Sequence, residues 1–195
     1  MGDYSFGLKI RTFFDLIHTK LFFKHARLVR RPIYIRGKKG WKYSKGLTTG
    51  HGCRIEASNQ KPTLFIGANA RIGDFVHICA EEKVHIGDNV LVASKVFISD
   101  TSHGIYTGSN PSEPFTNPSE REHICKPVLI GNNVWIGENV VILSGTTIGD
   151  GCIIGANAVL TGKNYPENSI IVGIPAKVIK RYDTFNKQWI KYDQH

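Results

Sequence analysis

No stretch of the 195 residues stays apolar for the roughly 20 positions that a membrane-crossing helix needs, so none is expected. The segment from Phe6 to Phe23 is interrupted by Lys9, Arg11, Asp15 and Lys20, which excludes the apolar core of a secretory leader. Cysteine is scarce and badly spaced for cross-links. Cys53, Cys79, Cys125 and Cys152 form no CxxC pair and no zinc-finger spacing. Reduced thiols in a cytoplasmic protein are the expectation. Acidic residues are nearly missing from one end: residues 1–45 hold 12 Lys or Arg but only Asp3 and Asp15. The other 150 residues carry 13 basic and 14 acidic groups, so a nearly neutral body bears a basic head.

Basic heads attract phosphates, of nucleic acid or of anionic lipid. No nucleic-acid motif accompanies the charge, so a nucleic-acid partner is not expected. Phe6, Phe13, Phe14, Leu16, Ile17, Leu21 and Phe22 are interleaved with the cations. That pattern predicts a basic amphipathic helical segment over 1–42. Two uses are open to it: peripheral contact with the inner face of a membrane through residues 1–45, or packing on the body with the cations in solvent.

Beyond the head a period of six takes over. Ile130, Ile136, Ile142, Ile148, Ile154 and Leu160 recur, several followed by Gly. The same phase runs upstream through Ile98, Val92, Ile86, Ile78, Ile72 and Ile66 to Ile55, Thr49 and Tyr43. Thirteen of these 15 positions are Ile, Val or Leu, which make up only 46 of the 195 residues. Chance would place about three or four there, so the phase is imposed by structure. Six is neither the helical 3.6 nor a long run of the strand's 2. A short strand followed by a bend satisfies it, and three such faces close a triangular coil that stacks on the next at about 4.8 Å. Extra residues enter only after Ile55 (five), Ile78 (two) and Ile98 (26), so all three loops leave one corner. The fold class is therefore mainly β: a parallel β-helix of about five coils over 43–181, with a long loop 99–127 and a short helical tail at 182–195. Glycine at the bends is expected to supply left-handed backbone.

The repeats IGANARIGD, IGDNVLVAS and IGNNVWIGENVVILSGTTIGDGCIIGANAVLTG resemble the hexapeptide-repeat acyltransferases, most of all the galactoside, maltose and O-antigen acetyltransferases. The resemblance covers residues 43–181 and implies a left-handed helix, acetyl-CoA as cosubstrate with no metal required, and a homotrimer with active sites between subunits. It identifies His103, on the long loop, as the family's catalytic histidine; imidazole titrates near neutrality and suits removal of a hydroxyl proton. Asp100 is expected either to orient that imidazole or to cap backbone. Trp135, outward on its hexad, is implied beside the transfer site or as a plain trimer contact.

Ala156, Thr161 and Lys163 match coenzyme-contacting positions along a groove that no loop interrupts. Lys177, Lys180 and Arg181 are candidate phosphate partners or solvated surface groups. Glu138 stands where the family has a coenzyme-contacting serine. Gly73 and Glu81 replace the asparagine and aspartate with which galactoside enzymes hold sugar hydroxyls, leaving Asp74, Glu81 and Tyr106 as acceptor candidates. His77 and His85 also point outward, but no His-x4-His supports a catalytic metal. The loop DTSHGIY and the basic head look like enzymes that O-acetylate surface-polysaccharide sugars, whose acceptors are often lipid-linked. Xenobiotic acetylation and amino-sugar N-acetylation are the alternatives.

Overall fold

The computed structural model describes residues 5–192; the ends of the N-terminal segment 1–42 and of the tail 182–195 lie outside the described residues. Ser5 caps helix α1 (Phe6–Phe22), its hydroxyl accepting from the Leu8 N–H at 3.4 Å. The body is a column of stacked coils with three faces, in which the strands of successive coils pair in parallel. Face 1 carries Tyr43, Ile66, Ile86, Ile130, Ile148 and Tyr165 in register. Face 2 carries Thr49, Ile72, Val92, Ile136, Ile154 and Ile171. Face 3 carries Ile55, Ile78, Ile98, Ile142 and Leu160. The phased aliphatics are thus one continuous core, each 3% exposed or less. Each buried Ile or Leu contributes about 1.5–3 kcal/mol relative to exposure.

The column is longer than the period alone implies. Face 2 stacks seven strands, from Leu28–Val29 to Ser169–Gly173, giving about seven turns rather than five. Val29 pairs in register with Thr49, and Ile35 with Ile55, so the coils begin inside the basic head, ahead of residue 43. At the other end Tyr165 takes the place of Ile148 only five residues after Leu160, which breaks the count of six. The expected helical tail is instead a pair of antiparallel strands, Ala176–Asp183 and Gln188–Lys191, added to the edge of face 2. Asp183 closes the turn between them by accepting from the N–H groups of Phe185 and Asn186 at 2.8 and 3.1 Å.

The repeated glycines have a different cause from the expected one. Gly131, Gly137, Gly149 and Gly155 do not have positive φ. They stand where coils touch: a Cβ on Gly137 would lie 2.6 Å from the backbone N of Ala156. Left-handed backbone is shared between other glycines, among them Gly145, Gly151 and Gly162, and asparagine. Asn69, Asn89 and Asn133 sit near φ 55–58°, and their amides stack, Asn69 donating to Asn89 and Asn89 to Asn133 at 3.2 Å each. Asparagine tolerates this region better than other side chains, and stacking satisfies amides that the bends expose.

Candidate active site

The long loop leaves and returns through a narrow neck. Asp100 ends its face-3 strand with a carboxylate that has no accessible surface. Oδ1 accepts from the N–H of Glu81 at 2.9 Å; Oδ2 accepts from Glu82 and Lys83 at 2.8 and 2.7 Å. Its carbonyl accepts from the Lys126 N–H at 2.8 Å and the Ser144 hydroxyl at 2.9 Å. Asp100 therefore fastens three coils at one corner. Both carboxylate oxygens are engaged by backbone N–H groups of the preceding coil, in keeping with the capping role.

From this neck an antiparallel pair, Thr101–His103 with His123–Cys125, projects from the column. Thr101 pairs with Cys125, Ser102 with Ile124 and His103 with His123. Strand alternation puts both histidines on one side. Their rings meet edge to face, centroids 4.3 Å apart at 82°. His123 Nδ1 lies 3.3 Å from Glu81 Oε2. A line of three groups results, His103–His123–Glu81, assembled from positions far apart in sequence. Tyr106 buttresses it: its hydroxyl donates to the His103 carbonyl at 2.5 Å and accepts from Arg121 at 3.0 Å. His103 itself is exposed.

Two recesses flank the pair of strands. A cleft of about 820 Å³ lies between the loop residues Ser102, Tyr106 and Lys126 and the coil edge at Leu143, Ser144, Thr161 and Gly162. A polar recess of about 500 Å³ is lined by Arg36, Glu56, Asn59, Gln60, Cys79 and Glu81. Glu81, expected to hold an acceptor, therefore edges a recess while holding His123. Asp74 does not join it. Its Oδ1 accepts from the His51 N–H at 2.7 Å, at the corner between faces 2 and 3 and away from the loop.

Trp135 is 52% exposed on face 2, paired with Leu91 below and Ile153 above. The same outward row continues through Ile170 to Lys180. Within one chain Trp135 and His103 thus occupy different sides of the column. Ala156 is exposed at the bend before the Val159–Leu160 strand; Thr161 and Lys163 are exposed after it. Lys177 and Lys180 are exposed and Arg181 half-buried on the Ala176–Asp183 strand, which lies between the end of face 2 and the edge strand Gln188–Lys191. Glu138 lies 3.7 Å from Lys95. Burial above all, with Asp100 and Glu81 adding charge, pushes the Cys125 thiol above its ordinary value, the reverse of what a nucleophile needs. Among the described residues no three His, Cys, Asp or Glu converge as a metal site, and no helix is long and apolar enough to cross a membrane.

Lys126 and Ser144 carry no signal in the sequence, and His123 stands out there only as a neighbour of Cys125. The signal for His123 was its place opposite His103 across the loop, which becomes visible only if the loop is read as a hairpin.

Residues 127–162 match the family described as bacterial transferase hexapeptide (six repeats). The chain is 42% identical over 183 residues, 93% of its length and 92% of the relative's, to WbbJ of Escherichia coli K12, named for O-acetyl transfer in lipopolysaccharide biosynthesis. Among solved structures, galactoside acetyltransferase in complex with coenzyme A is 25% identical with a TM-score of 0.52, over 99% of this chain and 91% of that one. A variant of AntD, an N-acyltransferase from Bacillus cereus, has a TM-score of 0.67 at 18% identity, over 95% of each chain, and supports the left-handed β-helix fold alone. The column and its loop define an acyltransferase scaffold. The chain belongs to the bacterial hexapeptide-repeat transferases.

Proposed function

We propose that the protein is an acetyl-CoA-dependent O-acetyltransferase acting on a hydroxyl of a surface-polysaccharide sugar or its precursor, free or lipid-linked. The carrying observation is the presentation of His103 on a braced hairpin, its ring against His123 and its carbonyl tied to Tyr106. The name of the relative WbbJ supports the same substrate class. His103 takes the proton of the acceptor hydroxyl while that oxygen attacks the thioester carbonyl. The C–S bond then breaks, the acetyl ester forms, and the coenzyme thiolate recovers the proton from His103. A backbone N–H stabilises the oxyanion between these steps.

The protein works as a homotrimer in this reading. An exposed His103 and an exposed Trp135 on separate sides of one chain meet when a neighbouring subunit brings its face 2 to the loop. The pantetheine arm follows the cleft edge at Thr161, past Ala156, and its phosphates meet Lys163, Lys177, Lys180 and Arg181. The sugar lies in the polar recess at Glu81. A cytoplasmic location fits an acetyl-CoA-dependent step.

The test is release of free thiol from acetyl-CoA over a panel of saccharides, amino sugars and a streptogramin or chloramphenicol acceptor. Turnover on a hydroxylated saccharide, lost on His103→Ala by about 10²–10⁴-fold, supports the reading. Turnover confined to an amine acceptor or to the antibiotics would replace it with N-acetyl or xenobiotic transfer.

A further inference from the structure

Helix α1 is turned the opposite way from an ordinary surface helix. Its buried residues are polar: Asp15 and Thr19. Asp15 Oδ1 accepts from Arg31 Nε at 2.8 Å, and Thr19 Oγ1 accepts from the Val29 N–H at 2.8 Å. Thr19 also donates to the Asp15 carbonyl at 2.6 Å. These bonds fasten the polar side of the helix to the first coil. Just beyond the helix Phe23 is 4% exposed, packed on Trp41 and Tyr43 with ring centroids 5.9 and 6.5 Å away.

The opposite side carries Phe6, Ile10, Phe13, Phe14, Ile17 and Leu21, an i, i+3, i+4, i+7 stripe. All six are exposed, Phe6 at 79%, Phe13 at 59% and Leu21 at 71%. At 100° per residue Lys9 and Lys20 fall along one border of the stripe and Arg11 along the other. A soluble helix hides such a face, whereas here specific hydrogen bonds hold it outward.

We infer that the outer face of α1 is a bilayer-docking surface for anionic lipid, lying in the headgroup plane with its phenylalanines in the acyl boundary. The charge selects the occupant. Residues 1–45 hold 12 basic and two acidic groups, which complement lipid phosphates. A second copy of the chain would bring the same positive head against it and be repelled. Docking at the first coil leaves the hairpin of His103 further along the column, beyond the bilayer surface.

The experiment is flotation of the full chain with vesicles of phosphatidylglycerol and phosphatidylethanolamine, beside vesicles of phosphatidylcholine alone. Because Phe23 belongs to the core, point changes on the exposed stripe are cleaner than truncation. The chain should float with the anionic vesicles, less with phosphatidylcholine, and less again as salt is raised. Phe13→Glu with Ile17→Glu should reduce binding about tenfold or more, with unchanged melting and unchanged thiol release on a soluble acceptor. Three results would overturn the inference: no binding to anionic vesicles, binding indifferent to the double change, or dissociation of the oligomer by that change, which would assign the stripe to subunit contact. The first two leave acetyl transfer untouched, as the thiol assay reads separately; dissociation would lower thiol release as well, because the proposed transfer site lies between subunits.

Discussion

Replacing Asp100 by alanine separates a structural role from a catalytic one at the acidic residue nearest in sequence to His103, the proposed base. Its carboxylate accepts three backbone N–H groups at 2.7–2.9 Å with no solvent access. Hydrogen bonds to a charged acceptor contribute about 1.5–3 kcal/mol each, and orphaned buried donors cost about 1–3 kcal/mol. The neck sits at a corner where water can replace part of this, so the expected loss is about 3–5 kcal/mol rather than the full sum. Asp100→Asn keeps two acceptor lone pairs and should lose about half as much. Urea denaturation followed by circular dichroism measures both, and thiol release with a saccharide acceptor measures turnover on the still-folded fraction. The pH profile of kcat should stay unmoved in Asp100→Asn. An unchanged unfolding midpoint with a displaced pH profile would refute the reasoning, because only a group acting on the imidazole gives that pair of results.

Gly137→Ala drives a Cβ to 2.6 Å from the Ala156 nitrogen and should cost about 2–4 kcal/mol, whereas Gly7→Ala in α1, with nothing within 4 Å, should gain up to about 1 kcal/mol; thermal melts compare them. Tyr106→Phe removes the hydroxyl that ties the His103 carbonyl, and steady-state kinetics should show kcat down about tenfold with little change in stability. Burial, with nearby carboxylates adding, pushes the Cys79 thiol to about 11, so at neutral pH alkylation timed by mass spectrometry should run on the order of 10²-fold slower than for a free thiol. Burial alone would raise the Glu56 carboxyl, but Arg54 at 2.6 Å and His77 outweigh it and hold the group below its ordinary 4.5. A depressed carboxyl adds stability above about pH 4.5 that is lost as pH falls through the lowered value. Melts on acidification should therefore be flatter for Glu56→Gln than for the parent.

The column was legible because six-residue spacing of Ile, Val and Leu has one geometric solution, and the loop corner was legible because every insertion shares its phase. Its two ends were not. Val29 and Ile35 keep the phase but sit among Arg27, Arg30, Arg31 and Arg36, so charge masks the first coil. The five-residue step from Leu160 to Tyr165 hides the last. In the site, the place of His103 on the loop could be read directly, whereas its partner could not. Glu81 and His123 are 42 residues apart and meet only because the neck at Asp100 returns the chain. The orientation of α1 was also hidden, since composition displays a stripe without saying which side packs. Asp15–Arg31 and Thr19–Val29 decide that, through hydrogen bonds that leave no periodic trace.

Single-turnover transfer from acetyl-CoA to a saccharide hydroxyl, in the parent and in His103→Ala, tests the proposed role of His103. Ester should form in step with thiol release in the parent, and the variant should be slower by about 10²–10⁴-fold with coenzyme affinity retained. Equal rates in the two proteins would contradict that role.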